Sequence, residues 1–254
     1  MSKSYQDLGL WNLRKVGGYQ VSPDRRMRKD VIYRSANLDS IGHSGARILQ
    51  SQLGIKTIFD LRSTVEHKMP KVLLDGAVVS LPAVANPDHE TLQTYFEGIS
   101  KSPAESVARV YIHTVNNSVK CFRAIFEYIR DNPSCPVLVH CELGKDRTGV
   151  FISLLLFVLG VCETDIIYDY TLSQDEIQDI IPERKAKLFK TAFMGGISVS
   201  QTALENHFMA LPGSMKLFLS YLRETYHEGR GYLSSLGFSH VDYDTIYSNL
   251  TENL

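Results

Sequence analysis

Apolar positions recur along this chain with two periods. Val119, Phe122, Phe126 and Ile129 recur at spacings of three and four, which predicts a helix from about Ser118 to Arg130 with one apolar stripe, closed by Pro133 and Pro136. Ala46, Leu49 and Leu53 mark a second helix, His43 to Leu53, ended by Gly54. Short apolar runs bounded by turn residues predict strands at Val31–Arg34, Ile55–Asp60, Val78–Leu81 and Pro136–His140. Val150 to Val161 is the longest apolar run, but its 12 residues are too few to cross a bilayer, so it reads as a buried helix. A short helix is expected near Glu90–Ile99. Past Glu163 the chain reads as helical, interrupted at Pro182 and at a hinge, Met194-Gly195-Gly196. Met215–Tyr226 and Asp242–Leu250 are its last helices. Strands and helices alternate up to residue 160, so the expected fold is α/β, a mostly parallel central sheet flanked by helices, with helical insertions and a helical C-terminal region. One domain over 1–254 is expected, with a core of about 11–172 and a helical lid and C-terminal region of 173–254.

Composition narrows the function. The 27 basic residues nearly balance the 28 acidic ones, for a net charge of −1, which disfavours nucleic acid as a partner. No secretory signal is visible in the first residues, and no segment reads as an integral membrane span. Cys121, Cys135, Cys141 and Cys162 form no CxxC pair, so a reducing, cytoplasmic setting is expected. The histidines show no metal-ligand spacing; neither a metal nor another cofactor is expected.

The chemistry concentrates in Val139-His140-Cys141-Glu142-Leu143-Gly144-Lys145-Asp146-Arg147-Thr148-Gly149. A cysteine follows a buried strand, and five residues further an arginine opens a helix. A phosphate needs converging donors. A tight strand-to-helix loop can aim the amides of Glu142, Leu143, Gly144, Lys145, Asp146 and Arg147 inward as an anion nest, and the helix N-terminus adds positive partial charge. Arg147 can grip two phosphate oxygens in a fork, which a lysine cannot. Gly144 permits the bend and Gly149 close helix–sheet packing. The same field favours the Cys141 thiolate as nucleophile, and Thr148 is placed to donate a hydrogen bond to it. His140 is expected to fix the loop.

The run from His140 to Gly149 resembles the signature loop of cysteine-dependent phosphatases, HC-x5-R-[ST]-G. Its HCxxGKDRTG form is similar to the tyrosine-phosphatase-like subfamily of bacterial and fungal enzymes. Asn12-Leu13-Arg14-Lys15-Val16-Gly17-Gly18 resembles that subfamily's N-x-R-D-x-G-G, with Lys15 in place of the Asp. Ile32–Ala36 resembles its YRS element, and Leu53–Ser63 with Glu66 its LGI…DLRs..E block. The resemblance covers most of 11–160. It implies a metal-independent phosphomonoester hydrolase acting through a cysteinyl-phosphate on phosphotyrosine in proteins, or alternatively on phosphoinositides. A catalytically silent phosphate-binding module and a rhodanese-type sulfur transferase are the competing classes; an intact Cys141, Arg147 and Thr148 speak against the first, and the Arg-Thr-Gly ending against the second.

A general acid must protonate the leaving oxygen. Asp146 is the first candidate, supported by the resemblance. Asp60, at its strand's end, is the second and Asp88 the third, and each has a plain alternative as a structural carboxylate. Lys145 either favours polyanionic substrates or is a solvated charge. Arg25, Arg26, Arg28 and Lys29 are either a surface for peripheral membrane contact or a solvated loop. Arg62 and Glu66, four apart, are expected to pair locally. Segments 82–103 and 174–210 are lid candidates, or packing for the far side of the sheet.

Overall fold

The computed structural model describes residues 3–66, 77–84 and 87–254; the first two residues of the segment read for a signal, and 85–86 of the first lid candidate, lie outside them. Five short strands form the main sheet: β1 (Arg14–Val16), β4 (Ile32–Ser35), β5 (Thr57–Asp60), β6 (Ala77–Ser80) and β7 (Val137–His140). Their order is β1-β4-β7-β5-β6, and β1 alone runs antiparallel to its neighbour. The expected α/β class with a mostly parallel sheet is the one observed.

Both faces of the sheet are covered, as parallel sheets require. Side chains alternate along β7: Val137 and Val139 join the larger core cluster, while Leu138 joins the smaller one with Tyr33, Ile58 and Leu49. The larger cluster is built on α5 (Arg147–Val158), whose apolar run is buried on nearly every side, and on α4 (Val119–Asp131). Phe151 packs between Phe122 and Phe126 at ring separations of 5.4 and 5.6 Å. Each such ring contributes about 1.5–3 kcal/mol by leaving water.

Register places the chemistry. Ser35, His140, Asp60 and Ser80 are paired neighbours in one row across β4, β7, β5 and β6, all at the carboxyl edge. Loops that leave this edge share a mouth, and β7, the central strand, delivers its loop to the middle of it.

Several elements differ from the sequence reading. The expected helix at 43–53 is α1 (His43–Arg47) followed by a wider, π-helical turn, Ile48–Gln52. Helix α2 (His89–Lys101) is longer than read, and α3 (Pro103–Asn117) was not anticipated. The basic cluster belongs to strand β3 (Arg25–Met27), which lies between β2 (Gln20–Ser22) and the C-terminal β8 (Thr251–Asn253) in a small antiparallel sheet. Arg25 donates to Thr251 Oγ1 at 3.1 Å and Arg26 to Glu252 at 2.8 Å. Arg25 and Arg26 thus fasten the C-terminal strand, while Lys29 lies exposed beyond β3. Beyond α5 follow α6 (Glu163–Thr171), α7 (Ser173–Ile177), α8 (Ile181–Met194), α9 (Gln201–Phe208), α10 (Pro212–Tyr226), α11 (Gly229–Ser235) and α12 (His240–Leu250). Pro182 sits in the first turn of α8, where its missing N–H costs nothing. Among the described residues, no helix is long and apolar enough to cross a membrane.

Candidate active site

The loop from Cys141 to Asp146 joins β7 to α5, and its backbone is held from outside. The Glu142 carbonyl accepts from the Asn37 amide at 3.0 Å and from Asn37 Nδ2 at 3.1 Å. Asn12 Nδ2 donates to the Leu143 carbonyl at 2.8 Å, and Arg34 Nη2 to the Gly144 carbonyl at 2.7 Å. The Lys145 and Asp146 carbonyls are taken by the first turn of α5, through the amides of Gly149 and Val150. Carbonyls anchored outward leave the opposite side of each peptide facing in. Among the described residues, no acceptor takes the amides of 142–147. This is the arrangement of an anion nest at a helix N-terminus.

Gly144 is required here. Its φ is +65°, and a Cβ would stand 2.1 Å from the Ser35 carbonyl oxygen. Gly149 has a further reason beside the one expected. The atom nearest its missing Cβ is in the Tyr170 ring, at 3.2 Å, with Arg34 of β4 at 3.6 Å, so it admits α6 as well as the sheet.

Behind the loop lies a buried polar brace. Arg34 is fully buried and donates to Asp169 Oδ2 at 2.5 Å. Arg14 donates to the Asp169 carbonyl at 2.8 Å and to Ser173 Oγ at 3.0 Å, and holds the Asn12 side chain. Burial, reinforced by Arg34, lowers Arg14 to about 10 against the opposing pull of Asp169. Lys15, the departure from the family pattern, points away and pairs with Asp30 at the surface.

At the front, Arg147 makes a two-pronged pair with Glu66, Nη1 to Oε2 at 2.6 Å and Nη2 to Oε1 at 2.9 Å. Ser63 donates to the same carboxylate through its hydroxyl at 2.8 Å. Burial would raise Glu66, but Arg147 and Ser63 outweigh it and hold it at about 2. The expected Arg62–Glu66 pair is replaced: Arg62 forks onto Asp60 and Asp39 at 2.9 Å. Residues 61–66 form turns rather than a helix, so a spacing of four does not bring the two side chains together. Cys141 is 2% exposed and lies within reach of the Arg147 charge: burial opposes the charge on that guanidinium, but Glu66 and the Cys141 sulfur strengthen it. The Thr148 hydroxyl is buried with no partner among the described residues.

The three acid candidates stand in different settings. Asp60 is buried and held by Arg62; burial raises it, but the Arg62 hydrogen bonds and nearby His140 bring it down to about 2. His140 itself is buried, which lowers it, and its Nδ1 lies 3.2 Å from the Cys141 carbonyl. Asp88 is exposed and caps α2 by accepting from the Thr91 amide at 2.8 Å. Asp146 alone of the three is in the loop. Its Oδ1 accepts from Tyr111 at 2.7 Å and sits 3.2 Å from Lys145 Nζ. Burial raises it, but Lys145, His207 and Tyr111 hold it below the ordinary carboxylate range. Tyr111 in turn meets the Tyr170 hydroxyl at 2.7 Å. Neither tyrosine stands out in the sequence.

Lys145 fits neither expectation. It is 1% exposed, and its ammonium donates to the carbonyls of His207 and Met209, each at 2.9 Å, at the end of α9. Its charge is spent on fastening α9 and Asp146. Helices α7 to α9 also cover the loop from outside: Leu143 packs with Ile177, Ile180, Leu204 and Phe208, and Arg184 of α8 donates to Glu142 Oε1 at 2.6 Å. The 174–210 segment therefore sits over the loop. Helix α2 backs α9, with Tyr95 Oη 3.0 Å from His207 Nδ1.

The site is thus a strand-loop-helix junction with a cysteine at one end and an arginine at the other. The model of the tyrosine phosphatase family matches residues 6–252, and this chain belongs to that family. A tyrosine-protein phosphatase of Nostoc commune is 26% identical over 217 residues, 83% of this chain and 70% of the relative. The triple specificity protein phosphatase PtpB of Mycobacterium tuberculosis is 28% identical over 207 residues, 71% of each chain. A solved complex of Pseudomonas aeruginosa TpbA with phosphotyrosine covers 83% of this chain and 94% of its own, at 16% identity and a TM-score of 0.29. The chain is thus a tyrosine phosphatase by family.

Proposed function

We propose that the protein hydrolyses phosphomonoesters without a metal, through a cysteinyl-phosphate, with protein phosphotyrosine as its leading substrate. The observation that carries this reading is the loop itself: carbonyls fastened outward by Asn37, Asn12 and Arg34, amides unclaimed beside Cys141 and Arg147. In the first step the Cys141 sulfur forms a bond to phosphorus as the ester P–O bond breaks. The leaving oxygen takes a proton from Asp146. In the second, a water oxygen attacks phosphorus, the S–P bond breaks, and the water proton goes to Asp146. The amides of 142–147 and Arg147 hold the three non-bridging oxygens throughout, where fixed donors do most for phosphoryl transfer. Glu66 takes two of the five guanidinium N–H groups of Arg147 and fixes its plane, leaving three for phosphate. Thr148 donates its unpartnered hydroxyl to the thiolate. Asp60 orients Arg62, and Asp88 caps its helix.

The lowered position of Asp146 is compatible with an acid role, because an arriving phosphate dianion beside it favours its protonated form. A phosphoinositide headgroup is the second reading, favoured by the lysine-bearing helix α8 that lies over the loop. The four free thiols suit the cytoplasm. Turnover of an aryl phosphate in the presence of chelator, abolished in Cys141→Ser, is the test. Thiosulfate consumption in its place, or turnover that survives in Cys141→Ser, would overturn the reading.

A further inference from the structure

We infer that the outer face of α8 is a docking surface for an anionic lipid bilayer, and that it sets the catalytic loop beside the headgroups. Helix α8 has two faces with different duties. Ile181, Arg184, Leu188 and Ala192 turn inward; Arg184 grips Glu142 of the catalytic loop, and Leu188 packs against the core that holds Leu143. On the other side Phe189 is 50% exposed, and Phe193 and Met194 are each 76% exposed. Among the described residues the other large exposed apolar side chains are dispersed, whereas here three fall within six positions of one helix. Such a patch marks an interaction surface.

The charges choose the partner. Lys187 and Lys190 are exposed and Lys185 half-buried, and among the described residues none of the three has an ion-pair partner. At 100° per residue Lys185 falls on one side of the Phe189–Phe193 stripe and Lys190 on the other, with Lys187 beyond Met194. Glu183, exposed between Lys190 and Lys187, offsets one of the three positive charges and leaves this face at +2. A central apolar stripe flanked by net positive charge is the pattern of a helix that lies in a bilayer interface, its rings among the acyl chains and its ammonium groups at the phosphates. A chain of net charge −1 has no general affinity for anionic surfaces, so this local concentration of positive charge directs the binding. A second copy of the chain is the poorer occupant, because a two-fold contact would set these lysines against one another. With the outer face docked, the loop under the inner face lies about one helix diameter, about 10 Å, from the interface.

The test is sedimentation of the full chain with vesicles of phosphatidylcholine alone and of phosphatidylcholine mixed with phosphatidylserine. Its readout is independent of turnover, and thermal melting serves as the control for folding. The chain is expected to pellet with the phosphatidylserine vesicles, not with phosphatidylcholine alone, and to be released by salt. Each lysine is expected to be worth about fivefold in partitioning. K187E/K190E and F189S/F193S should each lower the partition coefficient at least about tenfold with melting unchanged. Equal pelleting with both vesicles, no pelleting, or wild-type pelleting by both variants would overturn the inference. So would self-association in sedimentation velocity that F189S/F193S abolishes in the absence of vesicle binding.

Discussion

The back and the front of the catalytic loop are built on opposite terms. Behind it, Asn12, Arg14, Arg34 and Asp169 are buried and joined to one another, and what they hold is backbone. In front, the side chains of Arg147, Glu66 and Asp146 are 17%, 34% and 35% exposed, and among the described residues nothing engages the Thr148 hydroxyl or the loop amides. The difference separates two tasks. Preorganisation belongs to the back, where two arginines share one buried carboxylate and leave net positive charge beneath the nest. The proposed chemistry belongs to the front, where donors that will hold a phosphate must stay available to it.

Substitutions can break that comparison, because front changes should remove activity and leave stability, apart from the paired carboxylate of Glu66, while back changes should remove both. The largest effect is expected from Cys141→Ser, with aryl phosphate turnover down at least about 10⁴-fold and the melting temperature unchanged. Arg147→Lys is expected next, about 10³-fold lower in kcat/KM, because a lysine holds phosphate at a point and not in a fork. At the back, Asp169→Asn leaves two buried guanidinium groups undercompensated. It should destabilise the fold by about 3–5 kcal/mol in chemical denaturation. An Asp169→Asn protein that keeps full stability would dissolve the distinction.

Smaller changes sharpen it. Asp146→Asn should slow poor leaving groups about 10²-fold and good ones little, read from a series of aryl phosphates of differing phenol acidity. Equal slowing across the series would take Asp146 out of the acid role. Glu66→Gln is expected to lower kcat/KM about tenfold by loosening the plane of Arg147. It also carries a pH signature. The folded state holds Glu66 at about 2, below its ordinary value, so its pairing stabilises fully above that ordinary value, about 4.3, and is lost as the pH falls through about 2. The acid limb of the wild-type stability profile should therefore be steeper than that of Glu66→Gln, measured by urea denaturation across that range.

What could be read from residues alone follows the same division. The buried strand, the glycine bend and the apolar run of α5 are local signals, and they placed the cradle at the carboxyl edge of a parallel sheet. Asn12, Arg14 and Arg34 were visible as motif residues, but that they reach the loop carbonyls depends on β1 and β4 lying beside β7. The three-residue strands β1, β2, β3 and β8 are too short to show alternation. Helix α3, opened by Pro103, went unread, and with it Tyr111 and its bond to Asp146. Glu66 misled because spacing implies contact only on a helix. Lys145 misled because burial by α9 is a tertiary fact.

The central claim is that Cys141 carries the phosphoryl group in mid-reaction. Rapid alkaline quench during turnover of a radiolabelled aryl phosphate, followed by peptide mapping, tests it most directly. The account expects label on the peptide that contains Cys141, as an adduct stable in alkali and hydrolysed in mildly acidic solution, absent from Cys141→Ser. Label on another residue, or steady turnover without any labelled enzyme in either protein, would contradict it.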